Sequence, residues 1–445
     1  MPDAKEFFQS GLNFQQQRDW DQAIAAFSEA LRLNPKYLEA FYARGNCYEA
    51  RGQHDIAIAD YNAVIKFGPN EPVAYYNRGS AYMKKGDRAQ AFADFNAALK
   101  LDPGYAKAYY NRGFVHFKEN RLQDAVSDYS KAIECDPADS ESLVARGIAF
   151  GLLGEREKSM ADYDEAIHRN PNNAKAHGNR GNALETKGDY DGAIEEYGEV
   201  IRINPQDVKA YSNRALAYYK KQEIDKAIAD YTEVIRLNPK SGRAYCGRGI
   251  AYSKKHQNDQ ALADFEEAIR LEPRNYEAYA CRGSSKSAKG DYEGAIEDHT
   301  KAIEIHPDFA KAYYQRGVVH GMMGNLDSAA NDYAEAIRLD PDNAQARCNL
   351  GVIHTKKQDF AQALGCFSDA VRLDPKYSRA FYNRGLVYMI QNDPHSAIPD
   401  FTKAIELDPK YAPAYLSRAK AYEQRGDHLS AAADATRAKE LQTAK

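Results

Sequence analysis

The sequence is poor in most of what catalytic and membrane proteins need. Six cysteines are scattered over 445 residues, and no Cys-x-x-Cys pair occurs among them. Such spacing provides neither a zinc framework nor a disulfide scaffold, and it points to a reducing compartment, the cytoplasm. Neither sign of charge dominates: 60 Lys and Arg stand against 64 Asp and Glu, a formal net charge of −4. A protein that binds polyanions over its whole surface is not expected from that balance. No apolar run approaches the roughly 20 residues that span a bilayer, so no membrane partner is expected. The start, Met1-Pro2-Asp3-Ala4-Lys5-Glu6, lacks the pattern of a secretory leader. A Gly-rich phosphate loop and a nucleophile elbow are missing as well. An enzyme, a cofactor and a bound metal are therefore not expected.

Proline is scarce outside one register. Twelve of the seventeen prolines stand at Pro35, Pro69, Pro103 and every 34 residues to Pro409. Pro2, Pro72, Pro394, Pro399 and Pro413 are the others. A fixed period between 20 and 50 residues is the mark of a repeat architecture. Framed on this grid, the units run 4–37, 38–71, 72–105, 106–139, 140–173, 174–207, 208–241, 242–275, 276–309, 310–343, 344–377, 378–411 and 412–445. The expectation is a single array over 4–445, with no room for a separate catalytic domain. Each unit buries its apolar face mainly against its neighbours.

The third unit shows what one repeat encodes. Tyr75, Gly79 and Tyr82 recur at spacings of four and three, which places them on one face of a helix over Val73–Lys85. Gly86 closes that helix, because glycine takes the left-handed terminal conformation without steric cost. Asp87 caps the next one, which carries Ala91, Phe92, Phe95, Ala98 and Leu99. Asp102-Pro103 ends it, since the residue before proline is pushed out of helical geometry. Position 8 of the unit is Gly eleven times and Ala twice, and position 20 is Ala twelve times and Ser159 once. Position 24 is large: Phe27, Tyr61, Phe95, Tyr129 and Tyr163 in the first five units. Large rings set against small residues let a repeating core reach native density.

This pattern resembles the tetratricopeptide repeat (TPR), whose consensus has an aromatic at position 4, Gly at 8, Tyr at 11, Ala at 20, an aromatic at 24, Ala at 27 and Pro at 32. The second unit reads Phe41, Gly45, Tyr48, Ala57, Tyr61, Val64 and Pro69. The resemblance implies an all-α fold, an α-solenoid wound as a right-handed superhelix of helix–turn–helix units. It also implies a concave first-helix side that binds protein or peptide ligands. His116, His320 and His354 take the place of Tyr at position 11 and are expected in the core rather than on a metal.

One departure from the family repeats inside the chain. Position 7, usually Leu, is Arg in eleven units, and position 23 is Asp or Glu in the same eleven. Both are missing together in the first unit (Ser10, Ala26) and the eleventh (Leu350, Cys366). The expectation is an Arg–carboxylate pair between the two helices of each unit: Arg44 with Asp60, Arg78 with Asp94, Arg112 with Asp128, Arg214 with Asp230, and so on. A planar guanidinium holds a carboxylate at two points. Two solvated surface charges of little energetic weight are the alternative.

By the resemblance, positions 2, 5, 6, 9, 12 and 13 line the groove. Position 5 supplies Tyr42, Tyr76, Tyr110, Tyr314 and Tyr382; position 6 supplies Asn77, Asn111, Asn179, Asn213, Asn349 and Asn383. An asparagine offers a donor and an acceptor to an extended peptide backbone; the alternative is that it bonds locally. Phe114, Lys84, Lys118 and Lys356 complete the candidate contacts. Thirteen basic and six acidic residues occupy the six positions, a net +7 within a chain of −4. Complementarity then favours acidic peptides, while ordinary solvated lysines are the other reading. Cys246 and Cys281 lie on adjacent first helices, within range to approach one another, but each is expected as a small reduced residue of the core or groove. No unit has Lys at position 5 or Arg at 6, so the chaperone-tail clamp known in the family is not expected. The expected function is a non-catalytic interaction scaffold. The alternatives are a superhelical rod that associates end to end with its own copies, and a superhelix that binds RNA.

Overall fold

A computed structural model describes residues 3–443. The first two residues, where the leader motif was sought, and the last two of the expected unit 412–445 lie outside them. Among the described residues there are 26 α-helices and no strand, all of 13, 14 or, for the last, 16 residues. They alternate as first and second helices of antiparallel pairs, consistent with about thirteen repeats. The chain divides into two compact bodies, Met1–Lys220 and Lys221–Lys445. The first ends on the helix Val208–Lys220, and the second begins on the helix Ile224–Leu237. Within each body every helix packs on the next, which makes each a stretch of α-solenoid.

The helix ends follow the local chemistry. The first helix of the third repeat begins one residue before the periodic positions, at Pro72, where a missing N–H costs nothing. It closes at Gly86, φ +85°, in the left-handed region. Asp87 then accepts a hydrogen bond from Gln90 N at 3.2 Å, and Arg88–Leu101 runs until Asp102, which is extended before Pro103.

The core is a repeated close approach. Phe95, fully buried, lies against Gly79, where a Cβ would sit 2.8 Å from its Cε1. Gly113 meets Tyr129 at 2.9 Å and Gly385 meets Phe401 at 2.7 Å in the same way. In the last repeat position 8 is Ala419, and position 24 has shrunk to Ala435. With the ring gone, a methyl group at position 8 meets no crowding. Adding a methyl group at Gly79 forces the ring aside, so Gly79→Ala is expected to cost about 1–3 kcal/mol. The urea midpoint measures it; an unchanged midpoint would show that the ring has room to yield.

Candidate functional site

The arginines at position 7 lie where the two helices of a repeat face one another. Arg44 donates from Nε to Asp60 Oδ2 at 2.9 Å and from Nη2 to Asp60 Oδ1 at 2.7 Å. Arg78 holds Asp94 at 2.8 and 2.5 Å, and Arg112 holds Asp128 at 2.8 and 2.6 Å. The three carboxylates are buried, each 4 % exposed. The hydrogen bond it donates to Asp94 holds the Arg78 guanidinium above its ordinary range. Arg214, on the last helix of the first body, stacks over the ring of Tyr211 at 5.6 Å. Asp230 is buried on the first helix of the second body.

Two further contacts of these arginines escaped the sequence. Nη1 reaches back to position 25 of the preceding repeat: Arg44 to Ser28 Oγ at 3.0 Å, Arg78 to Asn62 Oδ1 at 2.6 Å, Arg112 to Asn96 Oδ1 at 2.6 Å. The guanidinium also lies over the ring at position 4, as Arg78 does over Tyr75 at 5.6 Å. One side chain therefore ties two helices of its own repeat to the second helix of the repeat before. In the eleventh repeat, which lacks both charges, Arg347 at position 4 bonds Asp369 at 3.0 Å instead. In the sixth, Glu196 replaces the usual Asp and receives both Arg180 and His177, whose Nδ1 lies 2.7 Å from it. The only His at position 4 coincides with the only Glu at position 23, a covariation that marks this pair in the sequence.

The candidate groove residues lie on the first helices, and the structure gathers some of them. An open pocket of about 480 Å³ is lined by Tyr76, Asn77, Lys84, Asn111 and Phe114 together with Asn46, Glu49, Tyr61, Ser80 and Met83. Tyr42 opens instead onto a neighbouring pocket of about 510 Å³ with Phe8, Leu12, Val73 and the acidic pair Glu39 and Glu71. Tyr110 packs on Tyr129, rings 5.7 Å apart, and Lys118 covers the Phe114 ring at 5.1 Å. Asn179 and Asn213 share a smaller pocket of about 230 Å³ with Lys175 and Lys209. In the second body Tyr314 packs on Tyr333 at 6.0 Å and Tyr382 on Phe401 at 5.9 Å. Lys356 is exposed at the end of its helix.

The asparagines are engaged within the protein. Asn77 Nδ2 donates to Tyr42 Oη at 2.7 Å, Asn111 to Tyr76 Oη at 3.2 Å and Asn349 to Tyr314 Oη at 3.3 Å. Each is a bond from position 6 to position 5 of the repeat before. Asn383 reaches Cys348 Sγ at 3.6 Å by the same relation. Asn213 bonds Asn182 Oδ1 at 3.1 Å, and Asn179 bonds Lys175 O of its own helix at 2.8 Å. A primary amide has two N–H donors and an acceptor oxygen; Asn77 Nδ2 also donates to Asn46 Oδ1 at 3.3 Å, which commits both of its donors, whereas the others commit one each. Two of the six acids at the groove positions are paired in place, Glu49 with Lys84 at 2.7 Å and Glu141 with Lys175 at 2.6 Å, which leaves the net +7 as it stands. Asn46 and Asn182, at position 9, were passed over; they accept from Tyr61 and Tyr197 hydroxyls at 2.8 Å and tie those buried rings to the groove side.

His116 is buried against the edge of Phe92, rings 5.1 Å apart, and burial, reinforced by Arg121, lowers its pKa. Among the described residues no three His, Cys, Asp or Glu side chains converge as metal ligands. No described helix is long and apolar enough to cross a membrane.

Family models described as Tetratricopeptide repeat match residues 8–72, 76–140 and 354–393, then 208–241, 242–275 and 378–411, then 162–195 and 401–433. A further model, described as TPR repeat, matches 186–222, 283–324 and 322–358. The chain belongs to the tetratricopeptide repeat family. Proteins of this family are in general interaction scaffolds without catalysis, and their partners are proteins or peptides. Among curated proteins no match to this TPR chain is found. Among solved structures it is similar to the APC/C hetero-tetramer Cut9–Hcn1 at 15 % identity, covering 99 % of this chain and 94 % of that one, TM-score 0.47. Yeast Tom70 matches at 22 % identity over 92 % of each chain, TM-score 0.41. YrrB, a TPR protein with an unusual peptide-binding site, matches at 26 % identity over 42 % of this chain and 97 % of its own, TM-score 0.35.

Proposed function

We propose that this TPR chain is a scaffold for extended peptide segments with acidic side chains, held along the first helices of residues 4–445. The primary contact is the pocket of Tyr76, Asn77, Lys84, Asn111 and Phe114. The observation that carries this reading is the convergence there of two aromatic rings, the Asn111 amide with a donor to spare, the acceptor oxygen of Asn77 and one lysine. Rings anchor a side chain at little entropic cost, and amides take up the backbone on either side of it. The lysine stands beside Glu49, so the pocket itself is close to neutral; the acidic preference comes from the rest of the first-helix face. A random library of fluorescent peptides, sorted for binding and then varied in charge, tests both parts. Tyr76→Ala is expected to weaken the selected peptide by about tenfold, the effect of losing an aromatic anchor worth about 1.4 kcal/mol. An unchanged affinity would remove this pocket from the binding face. Equal affinity for acidic and neutralised versions of the peptide at low salt would remove the charge preference alone.

A further inference from the structure

Cys246 and Cys281 are the two cysteines that the repeat frame brings together. Cys246 stands at position 5 on the helix Gly242–Lys254, and Cys281 at position 6 on Tyr276–Ala288, one repeat on. Side chains in this relation, 35 residues apart, touch at Asn77 with Tyr42, Asn111 with Tyr76 and Asn349 with Tyr314. The closest analogue has sulfur itself at position 5, where Cys348 Sγ lies 3.6 Å from Asn383 Nδ2. A thiol is shorter than an amide by only one bond, so two cysteines at these positions lie within reach of each other. Their packing agrees: Cys281 lies against the core cluster formed by Cys246, Ala261, Phe265, Ala268 and Ala278. The two helices come within 8 Å, Cα to Cα, at their nearest residues; a disulfide needs the Cα atoms of its own pair within about 7 Å, a distance that the cross-link below tests for this pair.

The two thiols differ in access. Cys246 is buried and Cys281 partly exposed. Burial raises the pKa of both, and at Cys281 the nearby Lys311 opposes that rise. Cys281 is therefore the thiol that an outside reagent meets, and Cys246 the one that waits behind it.

We propose that Cys246 and Cys281 form a redox-active dithiol that closes to a disulfide, stapling neighbouring repeats, by exchange with a small aliphatic disulfide. In the first step the Cys281 thiolate attacks one sulfur of the small disulfide; its S–S bond breaks and one alkyl thiolate leaves. In the second the Cys246 thiolate attacks Cys281 Sγ in the mixed disulfide, and the other alkyl thiolate leaves. The two protons given up by the cysteines end on the two released thiols. The protein is oxidised by two electrons and the small disulfide is reduced by two.

The full chain is equilibrated with excess bis(2-hydroxyethyl) disulfide at pH 8.5, then denatured in iodoacetamide and digested. The result expected is a cross-linked peptide joining Cys246 to Cys281, with both lost to alkylation, and a melting midpoint above that of the reduced protein. Cys135, the exposed cysteine of the chain, gains a mixed disulfide with no internal partner and serves as the control for reagent activity. Cys246→Ser is expected to stop the reaction at a mixed disulfide on Cys281, seen as one added hydroxyethylthio mass. Full alkylation of Cys246 and Cys281 while Cys135 is modified would overturn the proposal. So would a cross-link from either of them to another cysteine.

Discussion

Replacing Asp94 with alanine is expected to destabilise the protein by about 3–5 kcal/mol, the cost of leaving one half of a buried ion pair uncompensated. Arg78 would keep its bond to Asn62 and its place over Tyr75, yet lose both charge-assisted bonds to the carboxylate. The Arg78 side chain is 20 % exposed and that of Asp94 5 %, so water does little to replace them. The double change Arg78→Leu/Asp94→Leu is expected to cost much less than the single one, because an apolar pair of similar volume suits that site. In equilibrium urea unfolding, the single variant should show a lower midpoint and the double variant should recover most of it. Equal losses from Asp94→Ala and from the double change would mean that the pair is worth its own attraction and that the charge left behind costs nothing. Because Nη1 of the same arginine grips the preceding repeat, Arg78→Leu should also broaden the transition: a linear array unfolds cooperatively only as far as its neighbour contacts hold.

The fold was legible because one period carries three signals at once: Gly79 against Phe95, Asp87 as cap, and Asp102-Pro103 as stop. Each is a contact within about 35 residues; the small residue at position 8 and the proline stop recur in almost every repeat and the Asp cap in about half, so chance patterns cancel. The Arg–acid register was legible for the same reason, since Ser10 and Leu350 lose the arginine in the repeats that lose the acid. The candidate site was harder to read. A frame that treats each repeat as a column places Asn77 on the groove but not the Tyr42 hydroxyl that takes up one of its hydrogens, because that partner is in the column before. Lys84 and Glu49 stand in the same relation, so a sum over positions gives the net charge of the face but not which of its lysines are already paired. The division after Lys220 has no counterpart in the period at all; the repeat 208–241 reads like its neighbours.

Acid should expose a weakness at His299, in the same direction as at His116 and His320, whose pKa burial also lowers, but with a larger shift. It occupies position 24, where Phe95 and Tyr129 stand elsewhere, and it is fully buried with neither ring nitrogen bonded. Burial holds its pKa down at about 4, with Asp298 raising it and Arg316 and Lys311 lowering it. In the unfolded chain the imidazole titrates near 6.5. Above that value neither state binds the proton and the residue adds no pH dependence. Between the two values the unfolded state binds more protons, so stability falls as the pH falls. The loss attributable to His299 grows to about 3 kcal/mol by pH 4. His299→Phe restores the ring that Gly283 faces in its sister repeats, removes two unsatisfied nitrogens, and is expected to stabilise the protein by about 1–3 kcal/mol at pH 7. The gap between variant and wild type should widen steadily from pH 7 to pH 4 in denaturant unfolding. A constant gap would mean that water reaches the imidazole in the folded state and that its burial is relieved by local opening.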